Sequence, residues 1–235
     1  MQDPSDRQDL QSLSVALALA EARHRAAEAS LAQAQQTVNQ LQHELAQSRQ
    51  ATHHAQHEAN YDALTGLSNR RAFNQRSLST LLDPDARARG LCLLYVDLDG
   101  FKLINDGLGH AAGDALLKVV GARLARAVRD ADHVCRQGGD EFVCLLPDVQ
   151  QEAHALAIAA KLRLAVSQPC ELGLSSGPVR VHASVGVALF PQHGDTLQAL
   201  MAGADHAMLR AKVQHQGVAL ASLPGLSPAG PLVKF

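Results

Sequence analysis

Between residues 8 and 60 apolar positions recur every three to four residues, and no Gly or Pro interrupts them. Written as a heptad, one seam position holds Leu10, Leu17, His24, Leu31, Val38, Leu45, Thr52 and Ala59. The other holds Leu13, Ala20, Ala27, Ala34, Leu41, Ser48 and Ala55. The seam is strongest from Leu31 to Leu45 and fades toward Ala59. This spacing predicts a long helix over 8–60 that pairs as a coiled coil. A lone amphipathic helix folded back on a domain is the alternative. So long a stripe exceeds what one small domain can cover, which favours the coiled coil. His53, His54 and His57 lie on this helix, and nothing nearby in sequence completes a metal-ligand set around them.

The pattern changes after Asn60-Tyr61-Asp62. DALTGLSNRRAF (Asp62 to Phe73) reads as two helix-like pieces around Gly66. LCLLYVD (Leu91 to Asp97) is a continuous apolar run and reads as a buried strand. A helix is expected from about Gly113 to Val128. Two strands, His133 to Gln137 and Asp140 to Leu146, are expected to be joined by a Gly138-Gly139 hairpin turn. Helix Glu152 to Val166, strand Val179 to Phe190 and helix Thr196 to Val213 follow. The order β-α-β-β-α-β-α predicts an α/β (α+β) fold, a ferredoxin-like split βαβ sheet with helices on one face. The segment 218–235 is dotted with Pro and Gly and reads as a flexible tail.

Composition narrows the chemistry. Aromatic residues are 3% of the chain and Trp is absent, so stacking platforms for single-stranded nucleic acid are not expected. The net charge of -2 argues against a broad phosphate-binding surface, so no nucleic acid partner is expected. Cys92, Cys135, Cys144 and Cys170 form no CxxC pair and read as buried free thiols of a reducing compartment. The apolar stretch Leu13 to Ala22 is too short to span a bilayer, and no secretory signal is seen. A cytoplasmic protein with no membrane partner is expected.

The chemistry concentrates in RQGGDEF, Arg136 to Phe142. Two glycines allow a tight turn and close approach to a phosphate. Acids follow at once, and a second acid set, Asp97-Leu98-Asp99, ends the earlier strand. In a split βαβ unit the third strand lies antiparallel beside the first, so Asp97 and Asp140 should meet. Separated acids brought to one point suit metal-assisted nucleotidyl transfer.

Five blocks in order, DALTGLSNRRAF, DLDGFKLINDGLGHAAGDALL, RQGGDEF, SVGVALFP and GADHAMLRAK, resemble the GGDEF-type diguanylate cyclases of bacteria. The resemblance runs from Asp62 to about Lys212. It implies a GGDEF catalytic domain over 61–217 that condenses two GTP into cyclic di-GMP and releases two pyrophosphates. Each domain would hold one GTP, so two must face each other in a homodimer formed through the N-terminal coiled coil.

The resemblance also implies roles. Asp97, the Leu98 carbonyl and Asp140 would hold two Mg²⁺ or Mn²⁺ ions per half-site. Asp140, Glu141 and Lys102 would carry the catalysis. Asn105 and Asp114 would read guanine, since a carboxylate accepts from the guanine N–H groups and an amide bonds its acceptors. Phe101, Gly138, Gly139 and Lys212 would complete the GTP site. Arg129 and Asp132 form an RxxD pair, five residues before Gly138, that matches the family's product-inhibition motif, with Arg163 as a second arm. Leu209 and Gln216 depart from the family pattern, in which Tyr and a phosphate-binding Arg are frequent. A pure cyclic di-GMP binding module and a coiled-coil adaptor are the other readings. The intact acid and guanine-reading residues count against both.

Overall fold

The computed structural model describes residues 4–173 and 177–223, with side chains except those of 4–12, 14, 51–55 and 57–58. The histidines at 53, 54 and 57 therefore lie outside the described side chains. The chain divides into two units, residues 1–56 and 57–235. Helix α1 (Pro4–Asn60) makes up the described part of the first and ends four residues into the second. Its seam residues Leu31, Val38, Leu41 and Leu45 are all exposed within the single chain. No helix among the described residues is long and apolar enough to cross a membrane.

The second unit is built on a sheet of six strands among the described residues, ordered β1-β3-β4-β2-β5-β6. In chain order these are β1 (Ser68–Asn69), β2 (Leu91–Asp99), β3 (His133–Gly138), β4 (Glu141–Pro147), β5 (His182–Phe190) and β6 (Val218–Leu220). Helices α2 (Arg70–Leu82), α3 (Pro84–Arg89), α4 (Phe101–Leu108), α5 (His110–Ala127), α6 (Glu152–Val166) and α7 (Leu197–Val213) connect them. Central β2 lies antiparallel to both β4 and β5, the split βαβ arrangement.

Helices cover both faces of the sheet, not one as the element order suggested. Leu94, Val96 and Leu98 pack with Leu116 and Val120 of α5 and Leu162 of α6. Leu91, Leu93 and Tyr95 pack on the other side with Phe73 of α2 and Leu200, Ala204 and Met208 of α7. Successive strand residues point to opposite faces, so a strand covered on both sides must be apolar throughout. That is why LCLLYV shows no alternation.

Three local expectations are corrected. Asp62 to Gly66 is a turn rather than a helix, because the Asp62 carboxylate accepts from the Thr65 N–H at 2.9 Å and hydroxyl at 2.7 Å. The helix proper starts only at Arg70, capped by Asn69, whose side chain accepts from the Ala72 N–H. The expected tail begins with structure: β6 pairs in parallel with β5, and Ala221 is buried. Three residues at a sheet edge are too few to register as a periodic pattern. All four cysteines are free and buried, and burial raises each thiol pKa, that of Cys135 to about 12.

Candidate active site

The register of β2 on β4 sets Asp97 opposite Glu141, and the Leu98 N–H donates to the Asp140 carbonyl at 3.3 Å. Two acids far apart in sequence thereby reach one end of the sheet, as the topology required. Alternation places Asp97 on the α7 side, continuing Leu93 and Tyr95. From α7, Lys212 brings its Nζ to 2.5 Å from the Asp97 carboxylate. Asp99, one alternation further, accepts from the Ser184 hydroxyl at 2.8 Å. The Leu98 side chain is fully buried, so only its backbone can take part.

Charge here is unbalanced. Burial, followed by the nearby Asp140 and Asp99 carboxylates, raises the Asp97 pKa despite the bond from Lys212. Burial works to lower the Lys212 pKa, but the bond to Asp97 and the charges of Asp97, Asp99 and Asp140 outweigh it and raise it. One ammonium thus faces three carboxylates. A hard divalent cation fits such a place. No three His, Cys, Asp or Glu side chains among the described residues are arranged as a metal cage. Two carboxylates and a carbonyl suffice for Mg²⁺, which takes its remaining ligands from substrate phosphate and water.

The turn that carries Asp140 is clamped. Gly138 pairs with Glu141, so the connection is Gly139-Asp140 and not the expected Gly138-Gly139. A register shift between Arg136 and Gly138 absorbs the extra residue. Arg136 donates to the Gly139 carbonyl at 3.0 and 2.8 Å. Its third nitrogen reaches both oxygens of Asp62 at 3.1 and 3.2 Å. Burial works to raise the Asp62 pKa, but bonds from Thr65 and then Arg136, with its charge, hold it below the usual value. Sequence reasoning missed this clamp. The only signal was the coincidence of an Asp and an Arg at the starts of two blocks. Glu141 accepts from the Tyr95 hydroxyl at 2.9 Å, a second contact that sequence did not announce.

The proposed guanine readers sit on the α4–α5 hairpin. Asn105 lies against Gly113, where any side chain would run into its amide. Gly113 thus makes room for the Asn105 amide, and Asp114, the next residue along α5, is exposed. Lys102, in the first turn of α4, is exposed and makes no hydrogen bond or ion pair among the described residues. Phe101 differs from expectation: its ring is buried in the core beside α5, which leaves its backbone alone to meet a nucleotide.

The family description "Diguanylate cyclase, GGDEF domain" matches residues 59–217. The chain belongs to this GGDEF family. The chain is 42% identical over 159 residues to diguanylate cyclase TpbB of Pseudomonas aeruginosa, covering 68% of this chain and 36% of that protein. It is 41% identical over 154 residues to cyclic di-GMP phosphodiesterase NbdA of the same organism, covering 66% of this chain and 19% of that protein. The chain therefore spans only about a fifth to a third of these relatives. The solved GGDEF domain of TpbB superposes with a TM-score of 0.65 at 42% identity, covering 69% of this chain and 95% of that one. The coiled coil and GGDEF domain of DgcB from Caulobacter crescentus, solved with c-di-GMP, superposes with a TM-score of 0.64 at 27% identity. It covers 83% of this chain and 98% of that one.

Away from its acid centre the GGDEF domain carries a cavity of about 350 Å³ with a largely apolar lining that includes Val128 and Ile158 and with Arg129, Asp132, His154 and Lys161 as its polar groups. Asp132 fixes Arg129, accepting from its backbone N–H at 2.8 Å and its guanidinium at 3.1 Å. The guanidinium also donates to the Pro147 carbonyl at 3.0 Å. Arg163 does not join this pocket. It donates to the Ala183 carbonyl at 3.2 Å and lines a different cavity, so its place as second arm is corrected. Residues two apart on a helix point about 200° apart, so Lys161 faces Arg129 while Arg163 faces away. The spacing of His154, Ile158 and Lys161 on one helical face was the signal that could have found this.

Proposed function

We propose that this chain is a diguanylate cyclase that joins two GTP molecules into cyclic di-GMP and releases two pyrophosphates. The observation that carries the reading is the meeting of Asp97 and Asp140 at one sheet end with a surplus of negative charge. Two Mg²⁺ or Mn²⁺ ions at Asp97, the Leu98 carbonyl and Asp140 would neutralise phosphate charge and polarise the α-phosphate. The chain's own groups do the rest. Asn105 and Asp114 bond the guanine edge, and a base lacking its N–H donors leaves the Asp114 carboxylate without partners. Lys102 and Lys212 stabilise charge on the phosphates. Tyr95 holds Glu141 in place beside Asp97.

Each domain provides half of the reaction, so two must face each other. The exposed Leu31, Val38, Leu41 and Leu45 seam supports pairing of two α1 helices as a coiled coil. Pairing sets the two loaded sites at high effective concentration. Arg129, Asp132 and Lys161 form the product-inhibition site, with Arg129 forking onto a guanine edge or phosphate of cyclic di-GMP. The test is incubation with GTP and Mg²⁺, with nucleotides separated by chromatography and mass followed by light scattering. Cyclic di-GMP and a dimer are expected. A dimer that leaves GTP intact at every concentration would remove the catalytic reading.

A further inference from the structure

Tyr95 stands two residues before Asp97 on β2 and shares its face of the sheet. Its ring is buried in the cluster that Phe73 of α2 and Met208 of α7 complete. The β2–β4 register pairs Tyr95 with Val143 and Asp97 with Glu141. The phenol therefore passes the residue opposite it and reaches one same-face step along the strands. There its hydroxyl donates to the Glu141 Oε2 at 2.9 Å. Burial comes first among the causes that raise the phenol pKa, then the bond to Glu141 and the charges of Glu141, Asp205 and Asp97. The hydroxyl thus keeps its proton and stays a donor among carboxylates from β2, β4 and α7. A phenylalanine ring would fill the same space without burying an oxygen, so packing does not account for the hydroxyl. The bond it donates does. A Glu carboxylate turns readily about its last torsion. With Oε2 held, that turning stops and the direction of the second oxygen is set.

We propose that Tyr95 is a positioning residue for the reaction, its hydroxyl locking the Glu141 carboxylate in the orientation that serves the acid centre. Tyr95 acts through Glu141 and not on nucleotide or cation itself. The assignment rests on the cyclase reading above and deepens it, from the acids that do the chemistry to the group that aims one of them. Outer donors of this kind are worth about ten- to a hundredfold in cation affinity or activity.

The test removes the hydroxyl and keeps the ring. In the full chain, Tyr95→Phe is expected to lower kcat for cyclic di-GMP formation about tenfold, with KM for GTP within about twofold of wild type. Mn²⁺ binding without nucleotide, followed by electron paramagnetic resonance, is expected to weaken about tenfold. Adding Tyr95→Phe to Glu141→Gln is expected to weaken it no further, since a residue that acts through Glu141 has nothing left to aim. A thermal melt shows whether the variant folds. A second measurement leaves Tyr95 intact. The chain has two tyrosines and no Trp, so Tyr61→Phe makes Tyr95 its one phenol. The near-ultraviolet band of that protein is expected to move to shorter wavelength when Glu141→Gln takes the carboxylate away. Wild-type kcat and Mn²⁺ affinity in folded Tyr95→Phe, a penalty that persists in full beside Glu141→Gln, or an unmoved band would each overturn the proposal. The GTP assay of wild type is read independently. Mn²⁺ binding that depends on Tyr95 without cyclic di-GMP formation defeats the cyclase reading alone. Cyclic di-GMP formation that Tyr95→Phe leaves unaltered, with unaltered Mn²⁺ affinity, defeats the positioning role alone.

Discussion

At the acid centre carboxylates outnumber cations, whereas around Arg129 cations outnumber carboxylates. Asp97, Asp99 and Asp140 face Lys212, and burial plus mutual repulsion raise the Asp97 pKa. Arg129 and Lys161 line a cavity whose lining holds one carboxylate, Asp132, while the charge of Asp148 acts on Arg129 from outside that lining. Lys161 rests on the neutral Ala127 carbonyl at 2.8 Å. The first region lacks positive charge and suits a cation with its nucleotide. The second lacks negative charge and suits an anion. The contrast also separates burial: the Asp97 side chain is 12% exposed, while the Arg129 side chain is 55% exposed. The Arg129 guanidinium is therefore open to solvent and to a ligand, although its partner Asp132 is buried.

The largest effect should come from emptying the acid centre. Asp140→Ala is expected to lower cyclic di-GMP formation by about a thousandfold or more while leaving the fold intact. Turnover with GTP and Mg²⁺, beside circular dichroism, checks this. Asp114→Asn should cost about a hundredfold in discrimination of GTP against ATP, read as a ratio of kcat/KM values.

Changes around Arg129 should be milder and should move inhibition. Lys161→Ala is expected to weaken inhibition by added cyclic di-GMP about tenfold, whereas Arg163→Ala should leave the inhibition constant as it is. Equal effects of the two substitutions would erase the assignment of Lys161 to this pocket.

The smallest effect is on stability. Asp62→Asn loosens the clamp on the Gly139-Asp140 turn and should cost about 1–3 kcal/mol in urea unfolding at pH 7. The Asp62 pKa is depressed in the folded state, so its contribution is present above the unfolded value of 3.8 and lost as pH falls through the folded value. Wild type and variant should therefore begin to converge in stability as pH falls past 3.8 and meet only below the folded value. A gap that stays constant with pH would show that the carboxylate charge is not what holds the turn.

The sequence alone determined the long helix, the buried run at Leu91, the antiparallel placement of β4 beside β2 and the meeting of Asp97 with Asp140. Each of these follows from local periodicity or from connection rules, which the chain carries in linear form. Only the tertiary structure decided that helices cover both faces, that Val218 to Leu220 close the sheet edge and that Arg136 grips Asp62. It likewise assigned Lys212 to Asp97, Tyr95 to Glu141, and Lys161 rather than Arg163 to Arg129. The reason is physical: a charged or polar side chain has many candidate partners of the right type. Which one it meets depends on register, helix rotation and the approach of distant elements, none of which is written at the residue itself.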